Sequence, residues 1–429
     1  MLLRTAPDAL ARLGAELRDG SALISATNGK TTTAGMIAAA LRATGRTPVH
    51  NRAGSNMAWG VATALLEQRG DEGLFEVDEA WLPKVNADLQ PKLLLLANLF
   101  RDQLDRYGEL ERLADEWVDV VRDAERRSAD LVLNADDPLI ADLGRDHELA
   151  RRNGVTYFGI ADPSQALGEL QHAHDAKHCR RCGHPYRYER AFVGHLGHYT
   201  CSNCEADRPE PDVYAESIEL LGMEGSRFVV RTPGGRAEIS LPLPGLYNVY
   251  NAVAAVATAL ALGVPLERAA QALAGVEAVF GRVETIPVGD RQLSIMLIKN
   301  PAGANEVLRT LRQEAEREQG PGLDLWVALN DGIADGRDVS WVWDADFELL
   351  YGSVRRITCT GSRGAEMALR LKYAGLPTEM IEVREGIGAS LDAALSGAPG
   401  RLIALPTYTA LLELRTLLTR RGLAKDYWQ

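Results

Sequence analysis

The chain has 429 residues, 46% of them hydrophobic and 25% charged, which is typical of a globular protein with more than one domain. The formal net charge of −12 argues against binding to nucleic acid and to anionic lipid surfaces. The N-terminal residues lack the pattern of a signal peptide, and no apolar run is long enough to span a bilayer. We therefore expect a cytoplasmic protein with no transmembrane segment.

The first part of the chain predicts strands that alternate with helices. A buried strand, a tight loop and a helix are predicted over residues 22–46. Further strands are predicted at 93–99 (LLLLANL) and 129–138 (ADLVLNADDP), with a helix at 109–127 between them. This alternation favours a doubly wound α/β domain with a parallel sheet.

The loop at residues 25–33 (SATNGKTTT) predicts a phosphate-binding site. Backbone N–H groups at a helix N-terminus bind anions, and Gly29 would let the backbone approach a phosphate closely. Lys30 can reach the β- and γ-phosphates of a nucleotide, and Thr31 can ligate Mg²⁺. Ser25 stands where the strict motif has glycine, so an ordinary strand-to-helix turn with an exposed lysine is the alternative.

Residues 171–209 differ from their surroundings, because they are rich in His, Cys, Gly and Tyr and poor in aliphatic side chains. Two Cys-x-x-Cys pairs separated by 18 residues have the spacing of a Cys₄ zinc ribbon. We predict structural zinc, since four thiolates leave no position open for water. A redox-active pair is the alternative, and His178, His184, His195 and His198 are possible replacement ligands. The four predicted ligands are Cys179, Cys182, Cys201 and Cys204.

The second part of the chain predicts another α/β unit. Strands are predicted at 291–300, 323–331, 355–361 and 400–407, each running into a polar turn. The predicted domains are therefore 1–288, which contains the insertion at about 175–209, and 289–429, with the boundary near Val288 and Gly289.

Short segments in a fixed order resemble the Mur-ligase and folylpolyglutamate-synthase superfamily. Beside the phosphate loop these are 75–79 (FEVDE), 98–105 (NLFRDQLD), 134–138 (NADDP), 245–251 (GLYNVYN) and 281–284 (GRVE), with Asn330 and Asp331 at the end of a later strand. The resemblance implies a central ATP-binding domain and a smaller C-terminal α/β domain, with ATP and Mg²⁺ as cofactors.

Carried over to this chain, the resemblance assigns roles to particular residues. The implied ATP-binding residues are Thr27, Asn28, Gly29, Lys30, Thr31, Thr32, Asn134, Asn251, Arg282 and Asp331. The implied Mg²⁺ ligands are Thr31, Glu76 and Glu79.

At several positions the sequence departs from the usual pattern of the superfamily, and these departures indicate which family within it the chain resembles. Only 24 residues precede Ser25, Gln103 replaces a metal-binding histidine of the superfamily, and the insertion occupies the segment where many members carry a carbamylated lysine. In these features, and at 297–305, 335–344 and 405–409, the chain resembles the MurT family.

The MurT resemblance implies amidation of the D-glutamate α-carboxylate of the lipid II stem peptide through an acyl phosphate. The ammonia would come from a GatD-type glutaminase subunit bound to the C-terminal domain. The reaction would take place at the inner face of the membrane, in peptidoglycan synthesis. Besides Lys30, the implied catalytic residues are Asp344 and Asp338, one of which would complete the catalytic group of the partner.

The cysteines support the need for a partner. Four are assigned to the metal site, and Cys359 is predicted at the end of a buried strand with no histidine after His198 in the chain. Two other functions stay open at this point. The chain could be a stand-alone ligase that adds an amino acid, or a nucleotide-binding scaffold whose ribbon recruits a partner. Trp341 and Trp343 could be interface anchors, or one core and one solvent-facing residue of a strand.

Overall fold

The computed structural model describes residues 2–51, 55–102, 110–145, 154–276, 282–318, 322–397 and 400–424. The side chains of Leu2, Arg282 and Val283 are outside this description. The strands are β1 Ser21–Ser25, β2 Val49–His50, β3 Gly73–Glu76, β4 Leu93–Leu96, β5 Asp130–Asn134, β6 Val155–Ile160, β7 Tyr186–Val193, β8 Leu196–Cys201, β9 Val213–Leu220, β10 Ser226–Thr232, β11 Gly235–Leu241, β12 Arg282–Val288, β13 Arg291–Met296, β14 Leu323–Ala328, β15 Val354–Thr360, β16 Ile381–Val383 and β17 Gly400–Pro406.

Helices connect these strands. They are α1 Leu2–Thr5, α2 Ala9–Gly14, α3 Lys30–Arg42, α4 Ala58–Glu67, α5 Leu82–Leu89, α6 Leu110–Arg126, α7 Pro138–Leu143, α8 Leu246–Ala261, α9 Leu266–Ala274, α10 Pro301–Glu318, α11 Gly364–Tyr373, α12 Ile387–Leu395 and α13 Tyr408–Arg420. Short 3₁₀ turns occur at Pro163–Gln165, Gly222–Glu224, Ser340–Trp343, Phe347–Leu350 and Thr378–Met380.

The first sheet has nine strands within the described ranges, in the order β11-β10-β9-β6-β5-β4-β1-β3-β2. The strands from β2 to β9 in that order pair in parallel, and β10 and β11 continue the sheet as antiparallel neighbours. Every residue of β1 and β4 is buried, as expected for a parallel sheet covered on both faces. Along β1, Ile24 packs on the side of α3 and α8, and Leu23 packs on the opposite side with α4 and α6.

The cysteine-rich insertion forms a separate two-stranded sheet of β7 and β8, joined by a tight turn at Gly194 and His195. Gly194 has a φ of 56°, and a Cβ there would lie 2.9 Å from Cε1 of Phe100. The tip of this hairpin is therefore packed into the first domain, beside the segment that follows β4.

The second sheet has six strands in the described residues, ordered β12-β13-β17-β14-β15-β16. The predicted boundary near Val288 and Gly289 falls in the turn of the β12–β13 hairpin, where Val288 pairs with Arg291. Strand pairing thus places β12 with the second domain, and the chain changes sheets between α9 and β12. The predicted fold class, a Mur-ligase-type α/β domain followed by a smaller α/β domain, is confirmed.

Candidate functional site

The phosphate loop follows β1 and ends at the first residue of α3. Gly29 precedes the helix with a φ of 90°, a conformation that favours glycine. A Cβ at Gly29 would also lie 2.0 Å from Oδ1 of Asn251, which belongs to α8. Glycine is therefore required here both by the backbone conformation and by the close approach of α8.

The loop is held in place by Asn98, at the carboxyl end of the neighbouring strand β4. The backbone N–H of Asn28 donates to Oδ1 of Asn98 at 2.9 Å, and Nδ2 of Asn98 donates to the Asn28 carbonyl at 3.0 Å. The N–H of Phe100 donates to Oγ1 of Thr27 at 3.1 Å. The sequence motif contained Asn98 and Phe100, but nothing in it indicated these contacts.

Ser25, which departs from the strict motif, also has a structural contact. Its hydroxyl donates to the carbonyl of Val77 at 2.8 Å. A glycine could not make this bond, so the substitution ties the end of β1 to the acidic segment 75–79.

Lys30 lies in a group of buried carboxylates. Its Nζ donates to Oε2 of Glu79 at 2.6 Å and to the carbonyl of Ala26, and the residue is 8% exposed. Glu76, Asp78 and Glu79 are buried as well. Burial alone would lower the pKa of Lys30, but the carboxylates of Glu79, Asp78 and Glu76 together outweigh burial and the pKa is raised.

Burial and opposite charge also compete in setting the pKa of Glu79. Burial would raise its pKa, but the positive charges of Lys30 and Lys299 outweigh it, and the pKa is lowered. Both groups therefore stay charged at neutral pH. Carboxylate oxygens, with the Thr31 hydroxyl in the first turn of α3, are the hard ligands that Mg²⁺ prefers. The chemistry of these donors suits a divalent cation.

A cleft of about 810 Å³ lies between the two domains at the phosphate loop. Its walls combine polar groups with apolar side chains from α8, from the hairpin tip and from the start of α10. The lining residues include Asn28, Gly29, Asn98, Phe100, Val193, Leu196, Tyr250, Asn251, Lys299, Gly303 and Glu306. Val193, Leu196 and Lys299 were not predicted as site residues, because they come from distant parts of the chain.

Asn134 lies at the end of β5, and both ends of its side-chain amide contact backbone. Nδ2 donates to the carbonyl of Ala97 at 2.9 Å, and Oδ1 accepts from the N–H of Asp136 at 2.9 Å. These bonds join the carboxyl ends of β4 and β5. The predicted contact of Asn134 with ATP stays a prediction.

The next two residues of this turn, Asp136 and Asp137, are fully buried. Asp136 accepts from the Tyr250 hydroxyl at 2.7 Å and from Nε of Arg208 at 2.6 Å. Asp137 caps α7 and accepts from the N–H of Leu99 at 2.9 Å. The turn therefore joins α8, the end of the insertion and the segment after β4.

Two other predicted ATP ligands lie elsewhere or outside the described side chains. Asp331 accepts from Oγ of Ser362 at 2.7 Å and from Nε of Arg363 at 2.8 Å, in a separate cleft at the carboxyl ends of β14, β15 and β17. Arg282 begins β12 opposite Met296, but its side chain is not described. Gln103 lies outside the described residues.

The four predicted metal ligands come together at the far end of the hairpin. Their Sγ atoms all lie within 4.8 Å of one another. The individual separations include 3.4 Å for Cys182–Cys201, 3.6 Å for Cys179–Cys204 and 3.5 Å for Cys204–Cys201. A tetrahedral site with Zn–S bonds of about 2.3 Å has S–S edges of about 3.8 Å, so the cluster fits zinc.

Two of the histidines considered as ligands lie away from the cluster. His198 shares a hydrogen bond with the carbonyl of Ile160 at 3.0 Å. His195, at the hairpin tip, is fully buried with Nε2 3.4 Å from Oδ2 of Asp137. Burial would lower the pKa of His195, but the Asp137 carboxylate outweighs burial and raises it.

The two aspartates predicted to assist a partner lie in the segment after β14. Oδ2 of Asp344 is 3.2 Å from Nη1 of Arg101, which reaches it from the first domain. Asp338 accepts from the N–H of Ser340 at 2.8 Å, and this hydrogen bond lowers its pKa. Trp341 and Trp343 lie in a 3₁₀ turn, so the strand considered for them is wrong; Trp343 is 48% exposed.

In the described residues, no helix combines the length and the apolar character that a membrane crossing requires.

Comparison with protein families matches both parts of the chain. Residues 24–207 match the Mur ligase middle domain, and residues 297–411 match the MurT ligase C-terminal domain. The fold is similar to that of a pseudomurein peptide ligase type C from Methanothermus fervidus, with a TM-score of 0.72, 22% identity, and coverage of 96% of this chain and 80% of that one.

Two relatives cover nearly the whole chain. The subunit MurT of lipid II isoglutaminyl synthase (glutamine-hydrolyzing) from Streptococcus pneumoniae is 33% identical, over 94% of this chain and 88% of the relative. The subunit of the same name from Staphylococcus aureus strain N315 is 31% identical, over 96% of this chain and 90% of the relative.

Substitution of Gly29 tests the geometry of the loop. We expect Gly29→Ala to lower the free energy of unfolding more than Gly45→Ala does. Both glycines have positive φ, 90° and 82°, so both substitutions carry the cost of about 1–2 kcal/mol for that backbone conformation. A Cβ at Gly45 meets nothing within 4 Å, whereas at Gly29 it meets Asn251, which should add about 1–3 kcal/mol.

Urea unfolding followed by circular dichroism measures both variants. Adding Asn251→Ala to Gly29→Ala should recover part of the additional loss, because it removes the amide that the new Cβ would meet. An equal decrease in the free energy of unfolding for both variants would show that α8 does not pack closely against Gly29.

Proposed function

The chain belongs to the family of MurT, the subunit of lipid II isoglutaminyl synthase, and we propose from this membership and from the site that it catalyses the ATP-dependent amidation of the D-glutamate α-carboxylate of lipid II. The family is a ligase family of peptidoglycan synthesis with the Mur ligase fold. The observation that carries the proposal is Lys30, buried among carboxylates at the end of a phosphate loop that faces an interdomain cleft.

The proposed reaction has two steps. A carboxylate oxygen of D-glutamate attacks the γ-phosphorus of ATP, the bond from phosphorus to the bridging oxygen of ADP breaks, and an acyl phosphate forms. Ammonia then attacks the acyl carbon, loses a proton, and phosphate leaves. In the first step the N–H groups at the start of α3 and the Lys30 ammonium would bind the phosphates. The Mg²⁺ held by Thr31, Glu76 and Glu79 would neutralise phosphate charge.

Ammonia would come from a GatD-type glutaminase subunit bound to the second domain, residues 289–429 in the predicted division. Five cysteines occur in the chain, and four of them lie in the metal-ligand cluster. The fifth, Cys359, is fully buried in β15, and burial raises its pKa to about 12. A thiol in that environment is a poor nucleophile, which supports a separate glutaminase.

Asp344 is the preferred residue for completing the catalytic group of the partner. It lies on the second domain, its side chain is 44% exposed, and it contacts Arg101 of the first domain at 3.2 Å. A partner that used Asp344 would therefore bind where the second domain contacts the segment that follows β4. The lipid-linked substrate in the family name supports action at the inner membrane face.

The Cys₄ cluster would hold structural zinc. Backbone N–H groups of Asn203 and Cys204 both point to Sγ of Cys201 at 3.4 Å, an arrangement that stabilises a thiolate. Coordination would supply the folding energy that this polar insertion lacks.

Product analysis tests the proposed function. The full chain with a glutaminase partner, ATP, Mg²⁺, lipid II and ammonium chloride should yield an amide at D-glutamate, detected by mass spectrometry. Lys30→Ala should abolish both product formation and ATP binding, because the triphosphate loses its buried ammonium. If the intact chain adds only a free amino acid, it is an amino-acid ligase; if it consumes no ATP with any carboxylate, it is a scaffold.

Changing the nitrogen source tests the role of Asp344. We expect Asp344→Asn to lower glutamine-dependent amidation about 100-fold, because a carboxylate that orients a catalytic group contributes at least that much. Amidation with ammonium chloride should stay within a few-fold of wild type. Asp338→Asn is the matched variant and should retain both activities. Equal loss with both nitrogen sources would place Asp344 in the synthetase reaction instead.

Metal analysis tests the Cys₄ site. The purified chain should contain about one zinc per molecule, since the four thiolates form one tetrahedral site. Cys182→Ser should lose the metal and unfold the insertion, seen as increased proteolysis between β6 and β9, whereas Cys359→Ser should keep its zinc. Retention of full zinc content by Cys182→Ser would refute the assignment.

A further inference from the structure

A second lysine reaches the phosphate loop, and it comes from the second domain. Lys299 lies between β13 and α10 and lines the interdomain cleft together with Gly29. Its Nζ is 2.5 Å from Oδ2 of Asp102 and donates to the carbonyl of Thr27 at 3.2 Å. Lys299 thus contacts the phosphate loop at Thr27, three residues before Lys30.

The residues that follow Lys299 join the same contact. Asn300 and Asn28 exchange side-chain hydrogen bonds, with Nδ2 of Asn300 at 3.0 Å from Oδ1 of Asn28 and the reverse bond at 3.3 Å. Oδ1 of Asn300 also accepts from the N–H of Gly303 in the first turn of α10. The second domain therefore brings a lysine and the positive end of an 18-residue helix to the loop.

The charges around the loop show why a second cation matters. Asp102 adds a fourth carboxylate to Glu76, Asp78 and Glu79, and Lys30 and Lys299 are the lysines that contact this group. Oδ1 of Asp102 is buried with no hydrogen-bond partner in the described residues. The carboxylate of Asp102 therefore contacts Lys299 through Oδ2. A phosphoryl group in transfer carries negative charge on three oxygens, and a fixed ammonium in a closed cleft stabilises such charge strongly.

We propose that Lys299 is a further catalytic residue. When the two domains close on ATP, its ammonium breaks the contact with Asp102 and donates hydrogen bonds to the transferring γ-phosphoryl group. This inference rests on the proposed function, because it concerns the same phosphoryl transfer. The carboxylate-to-phosphorus bond forms and the bond to ADP breaks, while Lys299 keeps its protons throughout. A purely structural interdomain ion pair between Lys299 and Asp102 is the competing explanation.

Steady-state kinetics and nucleotide binding separate the two explanations. Lys299→Met in the full chain, with its glutaminase partner, lipid II and ammonium chloride, should lower kcat about 100-fold, the cost of removing one transition-state donor. Calorimetry with ATP and Mg²⁺ should show a dissociation constant within about 5-fold of wild type. Lys299→Arg keeps the charge and should recover at least about 10-fold of the lost kcat.

A second interdomain ion pair on α10 supplies the matched control. Arg317 contacts Glu224 at 3.1 Å, far along the helix from the loop, and both side chains are exposed. Arg317→Met removes an exposed interdomain ion pair and should leave kcat within about 3-fold of wild type.

Two results would overturn the inference. One is a Lys299→Met variant with kcat within about 3-fold of wild type. The other is a loss of ATP affinity as large as the loss of kcat, which would assign Lys299 to ground-state binding or closure. The proposed function itself fails only if the wild-type chain forms no amide or if Lys30→Ala still does. Failure of the two ideas can therefore be told apart.

Discussion

The active site depends on an excess of negative charge held out of water around one lysine. Buried carboxylates are stable only when cations or hydrogen bonds compensate them, and Lys30 is the nearest cation to Glu79. The surrounding acidic segment comes directly after β3, next to the loop after β1, because those strands are parallel neighbours. Under the proposed function, a triphosphate would therefore need a metal ion and a second lysine to balance the added negative charge.

The Asp136–Asp137 turn connects the interdomain cleft to the cysteine-rich insertion. Asp136 binds Tyr250, which lines the cleft, and Arg208, which ends the insertion. Asp137 holds the backbone after β4 and lies against His195 at the hairpin tip. The hairpin in turn places Val193 and Leu196 in the cleft wall. The insertion is therefore part of the wall of the interdomain cleft, and its folding and the shape of the cleft are linked.

Much of this could be predicted from the sequence where the signal is local. The loop around Lys30 and the cysteine spacing are short patterns, and each specifies a geometry within a few residues. The contacts of Lys299, Val193 and Asn98 could not be predicted, because they join positions far apart in the chain. The predicted boundary at Val288 stays a prediction, and the Gly-Asp turn beside it closes the β12–β13 hairpin.

The second domain contacts the phosphate loop through only a small part of its described residues. Its sheet packs around buried apolar side chains, and Asp331 is engaged with Ser362 and Arg363 in a cleft of its own. Its contacts with the phosphate loop come instead from the residues between β13 and α10. The second domain therefore touches the loop through one lysine and one helix end, and it touches the rest of the first domain through separate contacts such as Arg309 with the carbonyl of Phe192. The same domain places Lys299 at the phosphate loop and Asp344 at Arg101. One arrangement of the two domains would thus serve both the proposed phosphoryl transfer and the proposed delivery of ammonia.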